Sequence, residues 1–305
     1  EGFPMQVLDL PDPKFTAESL GFSPDGRLLA AWSWGHAFVL DTETGTARGP
    51  FGERVRGRHG VPGVGFTADS AAVIVHAERG RNESSVWVID LASGQVVARS
   101  PVGYAQNSGV EVGPGGQFVY LVHSPRERYV EIARWNPLTG ESEPPVAGHK
   151  EFLRSIAVSA DGRWVVGAGK SIRVWDLGGS KPSSRAARLF KLSGGSLNSV
   201  AVSADGAFVA FGRKVGAVAT GELWEAAAWA GPTTDGRNEA FHPNRPLLAL
   251  VPVSRQVLFY DCAARAEVGR FEWGIGEVES LAFSPDGLRC AAGAKGKVVV
   301  WDVDV

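Results

Sequence analysis

Two cysteines, one methionine and four tyrosines are all that this 305-residue chain holds of three residue types. The thiols, Cys262 and Cys290, fall in different repeats of the pattern described below, one at a strand corner and one inside a strand. A reduced pair is therefore expected, and with it a cytosolic setting. No apolar run approaches the ~18 residues that a membrane-crossing helix requires, and no stretch of any length carries a helical period. The opening residues, EGFPMQVLDL, lack a basic-then-apolar leader and an initiator methionine, as expected of a domain cut from a longer protein. Lysine is scarce beside arginine, 8 against 23, a bias that with abundant Ala, Gly and Val points to a GC-rich, bacterial source. A net charge of −2 argues against a general nucleic-acid binder, which needs a strongly basic surface.

Chemistry-bearing motifs are equally sparse. The six histidines and two cysteines show no metal-ligand spacing. His76 and His123 could approach each other from the second strands of successive repeats, but two imidazoles make a poor zinc site. Gly167–Ser171, GAGKS, ends like a phosphate-binding loop, yet Trp164 stands where that loop needs glycine, and the segment lies between two strands. Gly63–Ala68, GVGFTA, has the letters of a dinucleotide fingerprint but leads into a turn, not a helix. No Gly-x-Ser-x-Gly elbow occurs. These readings imply no cofactor, no metal and no catalysis.

What the chain has in abundance is punctuation: 39 glycines and 18 prolines. FSPDG stands at Phe22–Gly26 and again at Phe283–Gly287, and weaker copies begin at Phe66, Val112, Val158, Val202 and Phe241. The intervals are 44, 46, 46, 44, 39 and 42 residues, giving seven units. Each turn lies between short apolar alternations that read as strands. A second marker keeps step with it, at the end of a third strand: Leu40-Asp41, Ile89-Asp90, Trp135-Asn136, Trp175-Asp176, Trp224-Glu225, Tyr260-Asp261 and Trp301-Asp302. Four strands per repeat of this length form a propeller blade. The expected fold is thus an all-β, seven-bladed propeller filling residues 1–305 as one domain. The last repeat lacks a fourth strand, so Met5–Leu10 is expected to pair with Lys297–Val303 and close the ring.

These residues resemble the WD40 repeat family. Gly148–Leu177 is the best copy, with a Gly-His start, the turn and a Trp-Asp finish in order. The family's Asp six residues before the Trp is replaced here by Trp34, Glu83, Tyr129, Gly169, Val218, Ser254 and Lys295, so apolar packing between blades is expected to carry most of the stability. The resemblance implies a protein-interaction platform. Bacterial propellers of this kind often sit beside a kinase, protease or nucleotide-switch module. The rival reading is a small-ligand or enzymatic propeller of the TolB-like or peptidase-associated type, whose repeats SPDG also resembles.

Candidate partner-binding residues follow from the loop positions. Trp34 with its neighbour His36, and Trp273, lie in two loop classes that share one rim of the disc. Phe51, Tyr104 and Phe152 fall in or beside the same class. Each aromatic is either an exposed anchor or a cap folded over the rim. Arg54, Arg56 and Arg58, in Gly52–Gly60, could grip phosphate or an acidic partner. Aligned first strands place Glu18, Pro62, Ser108, Arg154, Asn198, Arg237 and Glu279 around the mouth. That ring is mixed in charge, which suits a protein or peptide ligand, or another domain of the same polypeptide, better than a polyanion.

Overall fold

The computed structural model describes residues 5–53, 63–78, 84–100, 109–126, 129–149, 153–178, 188–191, 199–212, 214–226, 238–253 and 255–303. They form seven four-stranded antiparallel sheets. In six, the strands pair in chain order; the seventh takes its outer strand from the other end of the chain. Gln6–Asp9 lies against Lys297–Asp302, with Gln6 opposite Val300 and Asp9 opposite Lys297, so the ring closes as the sequence predicts. The only helical element among the described residues is a 3-10 turn at Pro114–Gly116.

The turns that mark each unit have a local cause. In five blades a Ser or Thr hydroxyl donates to the Asp two residues on, as Thr67 does to Asp69 at 2.6 Å and Ser203 to Asp205 at 2.7 Å. The same hydroxyl accepts the amide five residues later, as Ser203 does from Phe208. Side chain and backbone therefore close one hairpin corner together. Thr67 and the Ala71 amide hold the Asp69 carboxyl below its ordinary range. In blade 6 His242 replaces the hydroxyl: Nδ1 accepts the Asn244 amide at 3.0 Å, and Nε2 donates to Gly287 O at 3.0 Å.

Seven apolar clusters hold the sheets together, and each straddles one seam between neighbouring blades. Trp87, Trp135, Trp175 and Trp301 are buried in them. The closing seam, blade 7 to blade 1, adds a cationic strap: Arg289 donates to Gly26 O at 2.6 Å and to Thr42 Oγ1 at 2.9 Å. Near the axis the innermost strands approach so closely that side chains shrink. A Cβ on Gly21 would stand 2.1 Å from Val64 O, and one on Gly65 would stand 2.9 Å from Val112 Cβ.

One strand departs from the expectation. Trp224-Glu225 does not end the third strand of blade 5: that strand is Lys214–Ala217, and Trp224 belongs to the outer strand Leu223–Glu225. Gly216-Ala217 occupies the aromatic-acid position, followed by the Thr220-Gly221 corner, where the Gly221 amide bonds Ala217 O at 2.8 Å. The missing aromatic is replaced by a neighbour, since a Cβ on Gly216 would meet Phe190 Cε1 at 2.9 Å. Trp224 is accordingly half-buried, its Nε1 donating to Tyr260 Oη at 3.1 Å.

Cys262 follows a third strand and Cys290 lies in a second strand; both are buried and free, and burial pushes the Cys262 thiol up to about 12. No helix of the described residues is long and apolar enough to cross a membrane.

Candidate functional site

Strand direction sorts the connections onto two faces. Loops joining second to third strands, and one blade to the next, lie on one face; the repeated turns and the third-to-fourth corners lie on the other. The first is called the loop face, the second the turn face.

On the loop face, Trp34 and Gly35 form the tip of a hairpin with φ of 51° and 86°. Left-handed backbone is disfavoured by about 1–2 kcal/mol for a residue carrying Cβ, so a tip of this kind normally takes Gly, Asn or Asp. A tryptophan held there is a strained position of the sort that accompanies function. The indole is half-buried, and its Nε1 donates to Glu18 Oε1 at 3.0 Å. His36 follows directly and rests edge-on against Phe15, with ring centres 5.2 Å apart. Arg154 is exposed beside the mouth, and its amide bonds Ala168 O at 2.8 Å.

Trp273 is placed differently. Its ring lies 4.1 Å from that of Trp301 and stacks on Phe271 at 5.7 Å, joining the seam between blades 6 and 7 and leaving the side chain half-buried. Trp34, His36 and Arg154 thus stay on the loop face, whereas Trp273 leans into a seam. Arg54, Arg56, Arg58, Tyr104, Phe152 and Arg237 lie outside the described residues, as does the side chain of His123.

The axis holds a cavity of about 380 Å³, lined by the innermost strands of all seven blades and by turn residues including Pro24, Pro243 and Pro285. It therefore occupies the turn-face half of the channel. Two residues before each turn, the ring reads Leu20, Val64, Val110, Ile156, Val200, Glu239 and Leu281, all buried. Six are aliphatic and one is a carboxylic acid. Glu239 is 9% exposed, and Ser199 of the preceding blade donates to its Oε2. Burial raises the carboxyl to about 7, against the opposing pull of Ser199 and the Gly212 amide. One residue nearer the turn, the ring is Gly21, Gly65, Glu111, Ala157, Ala201, Ala240 and Ala282, and the half-buried Glu111 is its one large member. The lining includes no lysine or arginine among the described residues. Among the described residues, no three His, Cys, Asp or Glu side chains gather as metal ligands.

Two stretches, residues 142–176 and 272–302, match the WD40 family, described as "WD domain, G-beta repeat". Both run through a third strand to its Trp, Trp175 and Trp301. Two of the seven blades are WD40 repeats. The fold of the whole chain is also that of a solved hydrazine synthase chain from Kuenenia stuttgartiensis, with a TM-score of 0.73, 18% identity and 98% of each chain covered. At that identity the likeness concerns the fold.

Within this propeller, Glu239 is the buried acid that sequence reasoning missed. The signal was present: aligning the seven first strands on their turns sets Glu239 alone against six aliphatic residues. The mouth ring, with Glu18, Arg154 and Glu279, lies two positions earlier on the same strands.

Proposed function

We propose that this propeller is a non-catalytic binding platform whose loop face, around Trp34, His36, Arg154 and the mouth acids Glu18 and Glu279, receives a protein or peptide. The partner is a separate protein or another domain of the same polypeptide. The matched repeats and the fold support a scaffolding or binding role in general. Trp34 carries the finer reading. A bulky aromatic at a left-handed hairpin tip costs stability that glycine would not, and the tip presents it on the face that also bears the mixed-charge mouth. Rigid aromatics beside complementary charges make binding anchors.

Among the described residues, the titratable side chains that an enzymatic alternative could draw on along the channel are Glu111, Glu239 and His242. His242 is poorly suited to proton transfer, because both ring nitrogens are engaged by backbone groups of adjacent turns.

Affinity capture from the source organism tests the platform. Partners retained by wild type should be lost with Trp34→Ala or Arg154→Ala, and Trp273→Ala should act through seam stability. Retention of every partner by both loop-face variants would place the binding surface elsewhere.

A further inference from the structure

The turn face has a layout that the platform reading does not use. Its axial pit, the cavity of about 380 Å³, is walled by Phe22, Phe66, Phe241 and Phe283 among other apolar residues. At the mouth of the pit stand Pro24, Pro114, Ala160, Ala204, Pro243 and Pro285, three of them exposed. One residue further along the turns, outside the lining, come Asp25, Asp69, Asp161, Asp205 and Asp286, all exposed. In each of the five, the turn hydroxyl and the amide two residues on both bond Oδ1, which leaves Oδ2 outside the turn's own bonds. Among the described residues none of the five has an ion pair. Arg27 and Arg163 turn instead to the corner acids Asp41 and Asp176, each at 2.8 Å. Turn closure does not require this charge, because an amide serves equally well in this protein. At the blade 3 corner Asn136 Oδ1 accepts the Leu138 and Thr139 amides, just as Asp41 Oδ1 accepts those of Glu43 and Thr44.

We propose that the turn face docks a cationic amphipathic segment of another protein. One large apolar side chain of that segment enters the axial pit, and lysines or arginines on either side of it meet the aspartates. Charge complementarity selects this occupant. An apolar pit surrounded by carboxylates that lack counter-ions suits a partner that is apolar at its centre and basic around it. The same carboxylates repel phosphate, which excludes nucleic acid and anionic lipid. The arrangement of the acids adds a direction. Blades 3 and 6 carry Gly115 and Asn244 at this turn position, so the acids form two arcs, on blades 7, 1 and 2 and on blades 4 and 5. In a ring of seven these arcs face each other across the axis. A segment with basic residues both before and after its apolar anchor matches them, its chain crossing the pit from one arc to the other.

The test is calorimetric titration of the whole chain, at low salt, with three peptides. They are acetyl-Lys-Arg-Trp-Leu-Arg-Lys-amide, the same peptide with Gly-Gly in place of Trp-Leu, and acetyl-Glu-Glu-Trp-Leu-Glu-Glu-amide. Wild type should bind the first, bind the second at least roughly tenfold more weakly, and leave the third unbound. Added salt should weaken the first complex. The triple variant Asp25→Asn, Asp161→Asn, Asp205→Asn keeps the turn acceptors and removes charge from both arcs. It should weaken the first complex roughly tenfold. Ala160→Lys, which sets a cation at an exposed position of the mouth, should act in the same direction and decides the matter if the triple variant does not fold. Failure of wild type to bind the first peptide, equal affinity for the first two, or unchanged affinity in the folded variant overturns the proposal. Self-association of wild type that the variant abolishes would assign the face to a second copy of the chain and overturns it too. Trp34→Ala should leave this affinity unchanged, so a failed loop-face platform and a failed turn-face site give different results.

Discussion

His242 occupies the space that a side chain on Gly287 would need: a Cβ built there stands 2.4 Å from His242 Cε1, at a φ of +78°. The second FSPDG therefore owes its glycine to the neighbouring blade as well as to its own turn. Gly287→Ala should lose about 2–4 kcal/mol, combining left-handed strain with a clash against an imidazole held by two backbone bonds. Gly94→Ala, also at positive φ but with nothing within 4 Å, should lose only about 1 kcal/mol. Urea melts of the two variants measure the difference.

Ring closure predicts a graded loss. Deleting residues 1–12 should lower the melting temperature by many degrees, because it strips the outer strand from blade 7 and opens two sheet edges. Leu8→Ala, within that strand and 7% exposed, should cost about 2–4 kcal/mol. An unchanged melt after the deletion would show that the strand contributes nothing to closure.

Glu239 should make stability fall as pH rises. A carboxyl raised from an ordinary 4.5 to about 7 binds its proton more tightly folded than unfolded. Its contribution is complete below about pH 4.5 and is lost by about pH 7, a change of up to about 3 kcal/mol. His242 works the other way: burial lowers it, so its contribution is lost as pH falls below its ordinary 6.5. The clean measurement is the difference between wild type and Glu239→Gln across this range. That difference should shift steadily toward the variant from pH 4.5 to 7 and then level off; a flat difference would remove the buried acid from the account.

At the Trp34 tip, the strain and the Glu18 bond oppose each other. Trp34→Gly should therefore alter stability by less than about 1 kcal/mol while abolishing capture of the partner. A loss of several kcal/mol with capture intact would make the indole a structural cap.

The sevenfold register could be read from the sequence because its cause is local. A hydroxyl, an acid and a glycine within five residues build the turn without help from elsewhere, and alternation on either side announces the strands. Blade 5 escaped that logic. Gly216 gives up the aromatic marker because Phe190 of the preceding blade fills the space, and Trp224 imitates the marker from the outer strand. The candidate site was harder for the same reason. Whether Trp273 faces solvent depends on Trp301, a partner across a seam, and no short-range pattern encodes that contact. Glu239 was readable only as an exception to a ring, which requires all seven strands to be compared at one depth.

The Arg289 strap joins residues 263 positions apart, reaching from blade 7 to Gly26. During synthesis the first blade must accordingly wait, with one flank bare, until nearly the entire chain has been made. Docking of the final sheet is then the slow, long-range step. Blade 7 itself should be the first to part when the disc is pulled or heated, since there alone the outer strand, Gln6–Asp9, is not joined by a turn to the strand it pairs with, Lys297–Asp302.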